Sequence, residues 1–247
     1  MIAVGIMGLI KHDFAPLWAP VPKGVPAREA LVHLCAFVSL GCGIGLVSRR
    51  AAAAASRVLF ALFLLWLLIS KVPVIFHAPT MEVSYQSCGE TAVLVAGTWV
   101  LYARFATGWD RRRLGFASGE RGVRMARALY GLALTTFGLS HFAYLKETAA
   151  LVPGWLPSHE AWAYFTGCTY LAAAIAVLTG LYARLAAALS ALQMGLFTLL
   201  VWIPIVAASH ADAFQWNETV LSWALTAAAW VIADSYRDVR WLALRRR

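Results

Sequence analysis

The chain has 247 residues, of which 61% are hydrophobic and only 13% charged, with a formal net charge of +9 and a mean hydropathy of +0.69. Average soluble domains are about half apolar and a quarter charged, so a soluble globular domain is excluded: its surface would expose too much apolar area. Eleven Trp fit aromatic belts at two membrane interfaces.

In chain order, 1–10 is apolar but about half the length of a membrane span, and it has no basic n-region or cleavage site of a signal peptide. A span needs about 20 mainly apolar residues. Seven stretches qualify: 27–48, 53–76, 86–106, 123–144, 158–180, 183–208 and 215–236. Pro73 and Pro204 stand near the ends of two of them, where each removes an N–H and should kink its helix. Lys71, one turn before that edge, should snorkel outward. The four Cys (Cys35, Cys42, Cys88, Cys168) lack metal-ligand spacing and read as small packing residues.

A repeat runs through this order. Residues 21–76 match 152–207 without a gap at an offset of 131: Val21-Pro22 falls on Val152-Pro153, Glu29-Ala30 on Glu160-Ala161, and Val72-Pro73-Val74 on Ile203-Pro204-Ile205. A three-residue slip then brings Glu90-Thr91 onto Glu218-Thr219. Such a repeat is read before the fold. It pairs the first stretch with the end of 123–144, since Gly8-Leu9 resembles Gly138-Leu139. The first helix is then short, or truncated at its start, and the count is eight.

Charge gives the orientation. Sixteen of the seventeen Arg fall on one side, and the four Lys, Arg28 and most of the acidic residues on the other. The positive-inside rule puts the Arg side in the cytoplasm. The expected fold is all-α: a polytopic membrane protein with eight transmembrane helices, the first one short, as two parallel four-helix-bundle repeats. The first unit covers 1–108, an Arg-rich cytoplasmic linker 109–122, and the second unit 123–247. Both termini are cytoplasmic. The basic loops read as topology determinants and anionic-lipid contacts, and no nucleic-acid partner is expected.

The ionisable groups gather on the outer side. All six His (His12, His33, His77, His141, His159, His210) lie near outer helix ends or in outer loops, as do Glu29, Glu90, Glu160, Glu218 and the Trp set Trp18, Trp155, Trp162 and Trp216. Glu90 and Glu218 are expected to open helices. There they are either acids favoured by the macrodipole or buried groups that exchange protons. Glu29 and Glu160 read as helix-start acids. His141 is a proton-active candidate. Haem held by His77 with His141 or His210 would need two neutral imidazoles on different helices, and no spacing enforces that. Gln193, in mid-span, reads as interhelical glue. No metal site, phosphate loop or hydrolase motif is present.

The second unit resembles the DoxX and DoxX-like family of bacterial membrane proteins. The resemblance is carried by Gly138-Leu139-Ser140-His141-Phe142, Val152-Pro153-Gly154-Trp155-Leu156-Pro157, Trp162-Ala163-Tyr164-Phe165-Thr166-Gly167, Arg184-Leu185-Ala186 and Val201-Trp202-Ile203-Pro204. The first unit keeps Val21-Pro22 and Pro26 but lacks the Trp, and its G-x-x-H-F is degraded to Gly8-Leu9-Ile10-Lys11-His12. The resemblance implies a four-helix transmembrane bundle per unit in a bacterial inner membrane. It also implies quinone or thiol chemistry at the periplasmic face: the family takes its name from a quinone-reducing thiosulfate oxidoreductase subunit. His141, Glu218 and Glu90 are then the catalytic candidates. Trp155, Trp162, His77 and His210 are the candidates for holding a cofactor, quinone ahead of haem. The bilayer, a periplasmic or membrane redox partner and a second copy are the expected partners. Two alternatives stay open: a small transporter or lipid-binding repeat protein, and an assembly partner without a site of its own.

Overall fold

The computed structural model describes residues 1–15, 17–18, 21, 23–208 and 211–244. Pro22, His210 and Arg245 to Arg247, on which expectations above fall, lie outside the described residues. The described residues form helices joined by turns, with no strand among them. They are α1 (Ile2–Lys11), α2 (Arg28–Val47), α3 (Ala52–Trp66), α4 (Val72–His77), α5 (Glu82–Phe105), α6 (Gly108–Arg113), α7 (Gly119–Ala143), α8 (Leu145–Ala150), α9 (His159–Thr179), α10 (Ala183–Phe197), α11 (Ile203–Ala207) and α12 (Ala213–Ser235).

Four helical stretches are long and apolar enough to cross a membrane: Arg28–Val47, Ala52–His77, His159–Thr179 and Ala183–Ala207. Large apolar side chains on them face outward, Leu34, Phe37, Ile44, Leu65, Ile69, Ile175 and Leu189 among them, as a lipid-facing surface requires. With 24, 25 and 23 residues, α5, α7 and α12 also exceed the length a bilayer needs, but they fall short of the four in apolar composition.

The reason lies in their position. Each long helix packs on the next long helix in the chain, from α1 on α2 through to α10 on α12, and α12 closes back on α5. So α5 touches α3, α7 and α12, and every residue from Thr91 to Val100 is buried. A helix enclosed by protein need not be greasy all round. Its small residues instead let neighbours approach, the main source of helix association inside a membrane. At Gly97 a Cβ would lie 2.7 Å from the Ala228 Cβ, so α5 and α12 cross there nearly backbone to backbone. Glu90 and Glu218 lie within Coulombic range of one another near the helix starts, Gly97 meets Ala228 in the middle, and Arg104 pairs with Asp234 at the far ends. That order means α5 and α12 run parallel.

Helix boundaries recur at the 131-residue offset. The starts of α2 and α9, α3 and α10, and α5 and α12 all differ by 131, and both Ala27 (φ 53°) and Ser158 (φ 55°) precede their helices in the left-handed region. The three-residue slip is therefore a misreading. Without it, Trp99-Val100 falls on Trp230-Val231, and the equivalent of Glu218 is Ser87, not Glu90. Two similar polar dipeptides one turn apart produced the false match.

The expected proline kinks take the form of π-turns. Leu67–Lys71 and Thr198–Trp202 are π-helical, again 131 apart, and the Val72 and Ile203 amides bond the carbonyls five residues back, at Leu67 and Thr198. Proline lacks an N–H and crowds the carbonyl four residues before it. The widened turn accommodates that misfit while keeping the helix continuous.

Candidate functional site

A polar line runs down one face of α5. Glu82, Gln86 and Glu90 are spaced by four residues and share that face. Gln86 Nε2 donates to Glu90 Oε1 at 3.3 Å. Glu90 does not open a helix as expected: α5 begins at Glu82, so Glu90 sits about 12 Å further along the axis. The macrodipole position belongs to Glu82 instead. Glu218 is likewise inside its helix, because Asp212 caps α12, accepting from the Gln215 amide at 2.8 Å in a capping box.

Lys71 meets this line from the side. It was expected to snorkel outward, but it is buried, and its Nζ donates to Ser87 Oγ on α5 at 2.8 Å. The π-turn explains the difference. Lys71 is the last residue of that turn, and the extra residue swings it from the lipid side toward α5. Thr91 Oγ1 in turn donates to the Ser87 carbonyl at 3.1 Å. Lys71 and Glu218 both lie within Coulombic range of Glu90, and Lys71 also of Cys88. Glu90 thus stands between Glu218 of α12 and Lys71 of the π-turn, with Cys88 on the same helix within range of Lys71.

The line starts at a cleft. Glu82 accepts a hydrogen bond from Ser140 Oγ on α7, while its Oε2, buried at the atom level, has no hydrogen-bond partner among the described residues. A cavity of about 270 Å³ opens beside it, lined by Thr80, Glu82, Tyr85, Thr136 and Leu139. Gly89 lets α7 come this close, since a Cβ there would fall 2.0 Å from Thr136 Oγ1.

The other expected site residues are elsewhere. His141 faces α9, its Nδ1 bonded to the Phe137 carbonyl at 2.7 Å and its ring 5.4 Å from that of Tyr170. Its neighbours form a separate polar group: the Tyr170 hydroxyl lies against Gln193, which accepts from Thr169 at 2.7 Å and donates to the Thr166 carbonyl at 3.1 Å. Gln193 thus ties α9 to α10. Trp155 is 71% exposed and Trp162 38%. Trp162 packs edge-on against Phe165 and forms no wall around His141. His77 is exposed and bonds the Pro73 carbonyl. Trp18, expected at an interface, is buried, stacked on Phe63 and bonded to Ser39 Oγ. No group of three or more His, Cys, Asp or Glu side chains able to hold a metal ion occurs among the described residues.

Outside the membrane-spanning helices, the loop from α5 to α7 is organised by Asp110. Its carboxylate accepts from the Thr107 amide (2.8 Å), the Thr107 hydroxyl (2.6 Å), Arg57 (2.7 Å) and the Tyr102 hydroxyl (3.3 Å). Burial alone would raise this carboxyl; the Thr107 and Arg57 hydrogen bonds outweigh it and hold the group at about 2. Arg127, on the edge expected to be a topology determinant, is buried as well. It stacks 3.8 Å from the Tyr236 ring and bonds Ser235, joining α7 to α12.

Residues 130–233 match the family model of a domain of unknown function (DUF8561). No curated protein and no solved structure matches the chain.

Proposed function

We propose that the chain is a polytopic membrane protein made of two tandem DoxX-like four-helix units, with eight spans and both termini on the cytoplasmic side of a bacterial inner membrane. In this reading its outward-facing cluster of Lys71, Cys88, Glu90 and Glu218 takes part in quinone- or thiol-linked oxidoreduction by accepting and releasing protons. The observation that carries the chemistry is the meeting of these four groups where α5 and α12 run side by side. Intramembrane ionisable groups are costly and cluster where they bind or relay protons.

The tandem architecture draws support from the recurring boundaries and paired π-turns. The contact of Gly97 with Ala228 adds to it. These two residues are 131 apart, and a residue meeting its own equivalent is what a two-fold axis between the units would bring about. The parallel course of α5 and α12 fits an even number of spans per unit, and the Arg distribution gives the orientation. The Glu82 cleft supplies a route for protons from the outer surface to Glu90.

The test is binding of a short-chain ubiquinone analogue to the purified protein, with Glu90→Gln and Glu218→Gln as variants. Saturable binding that weakens in both variants supports the reading. Absence of binding rejects the quinone, and unchanged binding removes the carboxylates from the mechanism. A second reading, a small transporter, is favoured by one observation: both carboxylates lie on the paired helices α5 and α12, which in the two-unit reading is the interface where repeat transporters hold their substrates. Uptake lost in Glu218→Gln with the fold intact would favour it over oxidoreduction.

A further inference from the structure

The hydroxyls around the Glu82 cleft have committed their protons to the protein. Tyr85 Oη donates to the Pro79 carbonyl at 3.0 Å and Thr136 Oγ1 to the Ala133 carbonyl at 2.8 Å. The Ser140 proton is shared between Glu82 Oε1 and the Thr136 carbonyl. What these groups still offer is lone pairs. Glu82 brings a carboxylate whose Oε2 accepts from no group among the described residues, and none of the ion pairs among them involves it. A carboxylate oxygen covered by protein and left without a donor is costly. The torsion that carries the two oxygens is broad, so the group can turn toward a donor that enters the cleft. The lining therefore suits a cation that carries N–H groups.

At the corresponding corner of the molecule the chain supplies such a cation itself. Lys11, the last residue of α1, donates from Nζ to the Ala213 carbonyl at 3.3 Å and to Asn217 Oδ1 at 3.0 Å, in the first turns of α12. Ala213 and Asn217 stand 131 residues after Glu82 and Gln86. The helices that meet them correspond too. A Cβ on Gly8 of α1 would lie 3.0 Å from the Ala36 Cβ on α2, and a Cβ on Gly167 of α9 would lie 2.9 Å from the His141 Cβ on α7. Ala36 and Gly167 are again 131 apart. The end of α1 thus meets α12 as the end of α7 meets α5. The last turn of α7, Ser140 to Ala143, contains no lysine. Where α12 receives an ammonium from Lys11, α5 presents a carboxylate and an open cleft.

Size and wall narrow the ligand further. The cleft holds about 270 Å³, just below the range of about 300–1,000 Å³ that takes drug-sized molecules. Its occupant is therefore small. Tyr85 puts an aromatic ring on the wall, which attracts a cation, and Leu139 adds an apolar surface for a short hydrocarbon chain.

We propose that the Glu82 cleft binds a small primary alkylammonium ion, its nitrogen on the Glu82 carboxylate and its chain against Leu139 and the Tyr85 ring. The bound ion takes the place on α5 that Lys11 takes on α12. This inference rests on the contact of α5 with α7 and not on the chemistry of Lys71, Glu90 and Glu218. A failed quinone-binding test leaves it standing.

The experiment is saturation-transfer NMR of the purified protein in micelles, titrated with n-butylammonium, which has the length of a lysine side chain, and referenced to empty micelles. The expected result is saturable binding at one site. It should be at least tenfold tighter than that of 1-butanol, which lacks the charge, and of tetramethylammonium, which lacks the N–H donors. Glu82→Gln should lower the affinity at least tenfold. Leu139→Trp, which closes the cleft from a position 51% exposed, should do the same. Circular dichroism selects the variants that keep the wild-type helical signal. Wild-type affinity in a folded variant of either kind overturns the proposal. So does the absence of saturable binding, or binding of 1-butanol or tetramethylammonium as tight as that of n-butylammonium.

Discussion

Replacing Asp110 with alanine would remove four acceptor contacts at once: the amide and hydroxyl of Thr107, the Arg57 guanidinium and the Tyr102 hydroxyl. The capping box of α6 alone is worth about 1 kcal/mol, and a hydrogen bond to a charged group about 1.5–3 kcal/mol. These terms do not add in full. The Arg57 side chain is 41% exposed and recovers water when its partner goes, which discounts the ion pair strongly. The Tyr102 hydroxyl, buried within the bundle, does not recover water. A net loss of about 3 kcal/mol is expected for Asp110→Ala, and about half that for Asp110→Asn, which keeps one acceptor oxygen. The assay is reversible unfolding in detergent micelles followed by circular dichroism. The pH profile gives an independent check. A carboxyl held at about 2 against an ordinary 3.8 is depressed on folding, so its contribution is present above pH 4 and disappears as pH falls toward 2. It amounts to about 2 kcal/mol. Wild type and Asp110→Asn should therefore differ at pH 7 and converge near pH 2. A variant within about 0.5 kcal/mol of wild type at pH 7, or a difference that does not change with acid, would refute this account of the loop.

Three further outcomes follow from the packing. Gly97→Leu should destabilise the contact of α5 with α12 by about 1–3 kcal/mol through overpacking, whereas Gly97→Ala combined with Ala228→Gly, which exchanges the small residue, should recover most of the wild-type melting temperature. Tyr130→Phe leaves Ser190 without its side-chain partner and should cost about 1 kcal/mol in the same unfolding assay. Lys71→Met removes the cation beside Cys88 and should slow maleimide alkylation of Cys88 roughly tenfold, since cations favour the reactive thiolate; the rate is read by mass spectrometry in a chain whose other three cysteines are alanine.

Much of the architecture could be read from periodicity. Long apolar runs marked the four helical stretches that are long and apolar enough to cross a membrane, because lipid contact writes itself directly into composition. The 131-residue offset anticipated the spacing between the starts of α2 and α9 and between those of α3 and α10. It failed at α5, where two Glu-Thr dipeptides one turn apart imitated a match that the helix starts do not support. The site was less legible. Glu90 and Glu218 stood out as carboxylates among apolar residues. Lys71, also inside an apolar run, was read by the usual habit of lysines near helix ends. Only the π-turn redirects it, and a π-turn depends on how a proline misfit is absorbed in three dimensions. Glu82 with Ser140, and Tyr170 with Gln193, are contacts between helices for which no spacing within one helix gives a signal. His141 kept its motif but faces α9, which a motif alone does not reveal.

The proposed exchange of protons between Glu90, Glu218 and a bound quinone is open to infrared difference spectroscopy of the protein with and without a short-chain ubiquinone analogue. Binding should perturb carboxyl bands that vanish in Glu90→Gln and Glu218→Gln. Carboxyl bands unchanged on binding, or bands that persist at wild-type strength in both variants, would contradict it.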